Sequence, residues 1–184
     1  MTSTQSRGWW RHNRWGLIAV VPSLVVAIGF TYSTAYNAYW KHHPREPVAA
    51  GEGGWVSYGG ARIRLLGLAP AYNVKDYGGK PFGPPGTARI WRATLAFEVS
   101  DKDTLAGCDL LLEDTDGRTY SAGPSELRGA RVPYPSCTQD SLATPSPRYE
   151  VAVYFVLPGT AKGAAVRVQL DTKLPHYARL TAAG

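Results

Sequence analysis

The sequence predicts an all-β domain of seven to eight strands, packed as a sandwich or barrel, preceded by one transmembrane helix. Three observations carry this. Between residues 55 and 181, short runs alternate apolar and polar side chains with a period of two, separated by Gly, Pro and Asp. The 184 residues include 20 Gly and 14 Pro with 44% apolar and 18% charged side chains, too apolar for disorder and too often punctuated for a helical bundle. A 23-residue stretch without an ionisable charge, residues 16–38, lies near the amino terminus between clusters of Trp and Tyr.

That stretch is the first element. At about 1.5 Å per residue it reaches roughly 34 Å, enough to cross a hydrocarbon core with some tilt. Trp9, Trp10 and Trp15 precede it, and Tyr36, Tyr39 and Trp40 close it. Rings with one polar atom favour the headgroup level, so these six read as membrane-interface anchors. Residues 1–15 carry Arg7, Arg11 and Arg14 and no acid, which predicts a cytoplasmic amino terminus by the positive-inside rule. The alternative is a cleaved signal peptide, with Ser33-Thr34-Ala35 as the small-residue cleavage site and residues 1–35 removed. Either way the remainder is expected outside the cytoplasm.

Charge distribution supports this division. The net charge is +6, yet residues 1–45 hold five of the 20 basic residues and none of the 14 acidic ones. Fifteen basic against fourteen acidic side chains remain for the rest, so no nucleic-acid partner is expected, and the lipid bilayer is the partner of the basic end. Residues 39–54, rich in Pro and Gly, read as a juxtamembrane linker. Its adjacent His42 and His43 diverge on most backbones and lack ligand spacing.

The domain is expected over residues 55–184. Strands are read at 55–58, 61–68, 90–99, 108–112, 149–157, 165–170 and 179–181. In residues 90–99, Trp91, Ala93, Leu95, Phe97 and Val99 fall on one face, opposite Arg92, Thr94 and Glu98. Asp116-Gly117 inside 113–120 is a hairpin signal, since both residues tolerate positive φ. One sheet cannot bury its apolar face alone, hence the layered packing. Two long segments, 70–88 and 121–148, show no strand pattern and are expected to be functional or pinned.

Cys108 and Cys137 are the two cysteines, an even count on the side expected to be oxidising, and are predicted to form a disulfide that ties the second long loop to a strand. Asp114-Thr-Asp116-Gly117 looks like the start of a calcium loop but lacks the third oxygen ligand and the closing Glu. A hairpin turn is the expectation, with weak cation binding near Asp114 and Asp116 left open. There is no Gly-x-Ser-x-Gly, no phosphate-binding glycine motif and no metal-ligand spacing, so no catalytic residue, metal or cofactor is assigned. The aromatic loop with Tyr72, Tyr77 and Phe82 is the candidate ligand loop; its rings either stand out to stack on a ligand or, as expected here, fold back to plug the sandwich end.

Residues 89–123 resemble a telokin-like, immunoglobulin-like domain of unknown function found in bacterial exported lipoproteins and membrane proteins. The matching pieces are the strand 91–99, the segment 108–112 and the Asp-x-Asp-Gly-Arg-x-Tyr run Asp114 to Tyr120, with the later strand 151–157 ending in Pro158-Gly159. The whole chain is also similar to short actinobacterial membrane proteins with an Arg/Trp-rich start. The resemblance spans residues 55–170 and departs in the Pro-rich segment 124–147 and in having a helix where many members have a lipidated cysteine. It implies an immunoglobulin-like β-sandwich, an exported location and an adhesive or ligand-binding role, and brings no catalytic residues. The expectation is therefore a single-pass cell-membrane protein displaying a non-enzymatic binding module that meets an envelope protein or glycan. The alternatives are an accessory subunit docked on another membrane protein and, third, an envelope hydrolase.

Overall fold

In the computed structural model, which describes residues 6–101, 103–139 and 146–182, residues 6–41 form one α-helix, α1 (Ser6–Lys41). Its Asn13–Lys41 portion is long and apolar enough to cross a membrane. Pro22 sits inside it without ending it. The hydroxyls of Ser23, Thr31 and Thr34 donate to the carbonyls of Ala19, Ala27 and Phe30 at 2.8–2.9 Å, so none of the three is left bare on the helix surface. Tyr32, Tyr36 and Trp40 stack at successive turns, with centroids 6.1 and 5.7 Å apart. Trp15, Tyr36, Tyr39 and Trp40 are all exposed. The side chains of Arg7, Trp9, Trp10 and Arg11 lie outside the described residues, whereas the Arg14 guanidinium lies 5.8 Å from the Trp15 ring centroid. His43 Nδ1 donates to the Tyr39 carbonyl at 2.8 Å and its ring lies against Tyr39, which gives this histidine a structural contact.

A second compact unit, Pro44–Gly184, is built from two sheets. One has four strands in the order β2 (Val56–Tyr58), β3 (Ala61–Pro70), β4 (Arg89–Val99), β7 (Arg148–Leu157). The other has five, in the order β1 (Glu46–Val48), β9 (His176–Thr181), β8 (Gly163–Gln169), β5 (Asp109–Asp114), β6 (Thr119–Ser121). Hairpins join β3 to β4, β5 to β6 and β8 to β9, while the β4–β5, β6–β7 and β7–β8 connections change sheet. With β3, β4 and β7 in the A, B and E positions and β5, β6, β8 and β9 as C, C′, F and G, this is the immunoglobulin-like Greek key.

Two features depart from the sequence reading. There are nine described strands rather than seven or eight, because β1 lies within the segment 39–54 expected to be linker, and the compact unit begins at Pro44 rather than residue 55. Glu46–Val48 pairs parallel to His176, Tyr177 and Ala178, and so covers the open edge of β9. A three-residue strand containing Pro47 has no alternation to read; a distant sheet edge decides it.

The core lies between the sheets and follows the expected alternation. Leu95 and Phe97 of β4, Val153 and Phe155 of β7, and Val166 and Val168 of β8 are fully buried. Burying a ring such as Phe155 contributes about 2–3 kcal/mol. Tyr58 clasps the two sheets: its hydroxyl donates to the His176 carbonyl and accepts the Leu170 N–H, both at 3.0 Å. The Cys108–Cys137 disulfide is present, with Cα atoms 6.2 Å apart and Cys137 buried. Tyr149 reinforces it by donating to the Cys137 carbonyl at 2.8 Å while its ring stacks on Phe97.

Candidate functional site

The outer face of the four-stranded sheet carries the site. A bulge in β3 makes it: pairing with β4 slips between Leu65 and Gly67, so Leu66 is extra. Beyond the slip, Leu68 turns to the core beside Ala93, and Gly67 and Ala69 come to the outer face opposite Thr94 and Arg92. The run Leu65-Leu66-Gly67-Leu68 thus keeps two leucines inward by breaking register once. Gly67, Ala69 and Thr94 are short, and they floor a groove of ≈ 670 Å³. A Cβ on Gly67 would meet nothing within 4 Å.

The two long segments wall the groove. Both are pinned onto the sheet by a second apolar cluster in which Val74 and Ile90 pack with Leu127 and Ala130, flanked by Phe82, Tyr154 and Val156. Residues 74–82 fold back on themselves: Phe82 N–H donates to the Val74 carbonyl, and Asp76 Oδ1 accepts the Lys80 N–H, both at 2.8 Å. Gly79 takes φ +82° to close that turn. Across from it, Arg131 N–H donates to the Lys75 carbonyl at 2.7 Å, so these two cationic residues stand side by side. Arg92 completes the basic lining, and Tyr154 pairs with it across β4 and β7. Lys75, Arg92 and Arg131 are exposed and have no carboxylate partner among the described residues, and no Asp or Glu is among the described residues lining the groove. The nearest acid in sequence, Asp76, turns its Oδ1 to the Lys80 N–H and does not line the groove.

The candidate ligand loop divides. Phe82 folds back onto the outer-face cluster rather than the sandwich end, and Tyr72 and Tyr77 are 80% and 75% exposed, which corrects the expectation that the three rings plug the sandwich. Tyr72 borders the groove, and Tyr77 does not. The apolar demand of the loop is already met by Val74 and Phe82. Arg92 was legible as an outward residue of a strand, and Lys75 as a neighbour of the tyrosines. Arg131 and Tyr154 carried no signal, because one lies in a patternless segment and the other in a run apolar on both faces.

The Asp-x-Asp-Gly-Arg-x-Tyr run is structural. Asp114 is buried, its Oδ1 accepts the N–H groups of Asp116 and Arg118, and its Oδ2 accepts the Tyr120 hydroxyl, each at 2.9 Å. Desolvation pushes the Asp114 carboxyl up, but these hydrogen bonds together outweigh it and hold the carboxyl below its ordinary value. Gly117 at φ +82° completes the hairpin. Both oxygens are thus turned to protein donors, and the described residues contain no cluster of three or more His, Cys, Asp or Glu suited to a metal. On the outer face of the other sheet, buried Glu113 receives Arg167 Nε at 2.7 Å and Arg179 Nη2 at 2.8 Å, and Arg167 also covers the Tyr177 ring. The Arg179 hydrogen bond is the main cause of a lowered Glu113 carboxyl, opposed by desolvation and helped by Arg167. Sequence alternation alone did not bring these three together.

No family model and no curated protein matches the chain. Among solved structures it is similar to an uncharacterized beta-sandwich protein from Clostridium difficile 630, at 12% identity and a TM-score of 0.43, over 78% of this chain and 98% of that one. The chain is a β-sandwich with an apolar amino-terminal helix.

Proposed function

We propose that the chain is a single-pass envelope protein, with its amino terminus in the cytoplasm and its sandwich outside the membrane acting as a non-enzymatic binding module. The groove carries the reading: a concavity of ligand size, pre-formed by two pinned loops, with basic groups and tyrosines but no carboxylate among its described lining residues. Support for the location comes from the arginines before the apolar helix, the disulfide, and the resemblance to exported domains. The accessory-subunit reading draws on Tyr77 and Tyr134, 75% and 87% exposed and both outside the groove, as rings a partner protein would cover.

The test is a photoreactive residue at Tyr72 in intact cells, with a second at Tyr134 and a control on the other sheet at exposed Thr119. A specific adduct from Tyr72, lost when Gly67 is replaced by Leu to fill the groove, supports the groove as the binding site. Adducts from Tyr134 alone favour docking of a partner protein. No adduct from either position overturns the binding reading, and protection of residues 44–184 from protease added to protoplasts overturns the topology.

A further inference from the structure

We infer that the groove takes an organic phosphate: a dianionic phosphate monoester head held by Lys75, Arg92 and Arg131, with an apolar body lying along Tyr72 and Val132. This deepens the binding reading and rests on it. Lys75 and Arg131 are brought together by a backbone hydrogen bond of 2.7 Å, and Arg92 lines the same ≈ 670 Å³ space. Three cationic residues border one concavity whose described lining carries no carboxylate, and the resulting field favours an anion there. A phosphate monoester carries about −1.5 to −2 charge and three acceptor oxygens, which matches three cationic donors better than a single carboxylate does. Guanidinium groups suit it through paired N–H donors. The other part of the lining, Ala71, Val132 and the exposed Tyr72 ring, gives a flat or acyl group its surface. The floor is open above Gly67 and needs no rearrangement to admit it.

The chemistry is shared by soluble phosphate esters and by lipid phosphates, so the probes separate them. The full chain in uncharged detergent is titrated calorimetrically with phenyl phosphate, inorganic phosphate, benzyl alcohol and dihexanoyl phosphatidic acid. Phenyl phosphate is expected to bind at about 0.5 mM in low salt, and about tenfold more weakly in ~500 mM NaCl. Arg92→Gln with Arg131→Gln is expected to weaken it by about tenfold or more. Tyr72→Ala is expected to weaken phenyl phosphate while leaving inorganic phosphate unchanged, and Gly67→Leu to abolish both. Thermal melting of each variant confirms that it folds; the replaced side chains are exposed and Gly67 has room for a side chain. Preference for phosphatidic acid over phenyl phosphate supports a lipid source, and the reverse supports a soluble one. Binding of benzyl alcohol as tight as that of phenyl phosphate, indifference to the arginine substitutions, or no phosphate binding up to about 10 mM overturns the inference. A Tyr72 adduct in cells alongside such a failure leaves the groove a binding site for another ligand; failure of both removes the site.

Discussion

Reducing the Cys108–Cys137 bond should cost the sandwich about 3.6 kcal/mol. The two cysteines are 29 residues apart, and closing a loop of that size restricts the unfolded chain by that amount at 25 °C on the loop-entropy account. For the unit Pro44–Gly184, an unfolding entropy of about 2.1 cal/mol/K per residue converts the loss to a fall in Tm of about 12 °C. Near-UV circular dichroism of the full chain in uncharged detergent, heated with and without a phosphine reductant, reads the shift. The Cys108→Ser/Cys137→Ser double variant should melt with the reduced protein and be insensitive to reductant. A shift of less than about 3 °C, worth under 1 kcal/mol by the same conversion, would refute the loop argument. It would mean that the apolar cluster around Leu127 and the Arg131–Lys75 hydrogen bond already order the segment in the unfolded ensemble.

Three further outcomes are expected. Tyr58→Phe removes the hydroxyl that joins the sheets and leaves the Leu170 N–H buried without an acceptor, so it should lower stability by about 2 kcal/mol in urea melts; an unchanged midpoint would show that the clasp is not used. Because Arg179 and Arg167 hold the folded-state Glu113 carboxyl below its ordinary 4.5, its contribution is full above that value and is lost as pH falls through the lower folded value. Glu113→Gln should cost about 2 kcal/mol at neutral pH, discounted for solvent at Arg179, and flatten the acid limb of the stability profile; parallel limbs would argue against the triad. A Cβ at Gly163 would lie 3.1 Å from the Trp91 ring and 3.2 Å from Leu68, so Gly163→Val should overpack the sandwich by about 1–3 kcal/mol, with a fluorescence change from Trp91.

The strands were legible where one physical rule governs them. Alternation in β4 set Ala93, Leu95 and Phe97 inward, Asp116-Gly117 set the β5–β6 turn, and the cysteine pair set a disulfide. The groove was not legible, because it depends on a single register slip at Leu66 and on isolated apolar residues such as Val74, Leu127 and Ala130. Scattered through Gly- and Pro-rich segments, those three residues have no period; they meet only because the outer face of the sheet offers Ile90 and Val156 to cover. The same packing explains Tyr72 and Tyr77. A loop already anchored by smaller apolar groups has no need to bury its tyrosines, so residue type alone misplaced them.

The outermost position of β7 has a consequence for manufacture of the protein in the cell. This ten-residue strand ends its sheet, and along its outward side Gly123 N–H bonds to the Tyr154 carbonyl. The guard at that rim is thus the Pro-rich loop fastened through Cys137. Until the sulfurs join, that loop is held by the Leu127–Ala130 cluster and its hydrogen bonds alone, so the rim is less firmly shielded from pairing with a second copy.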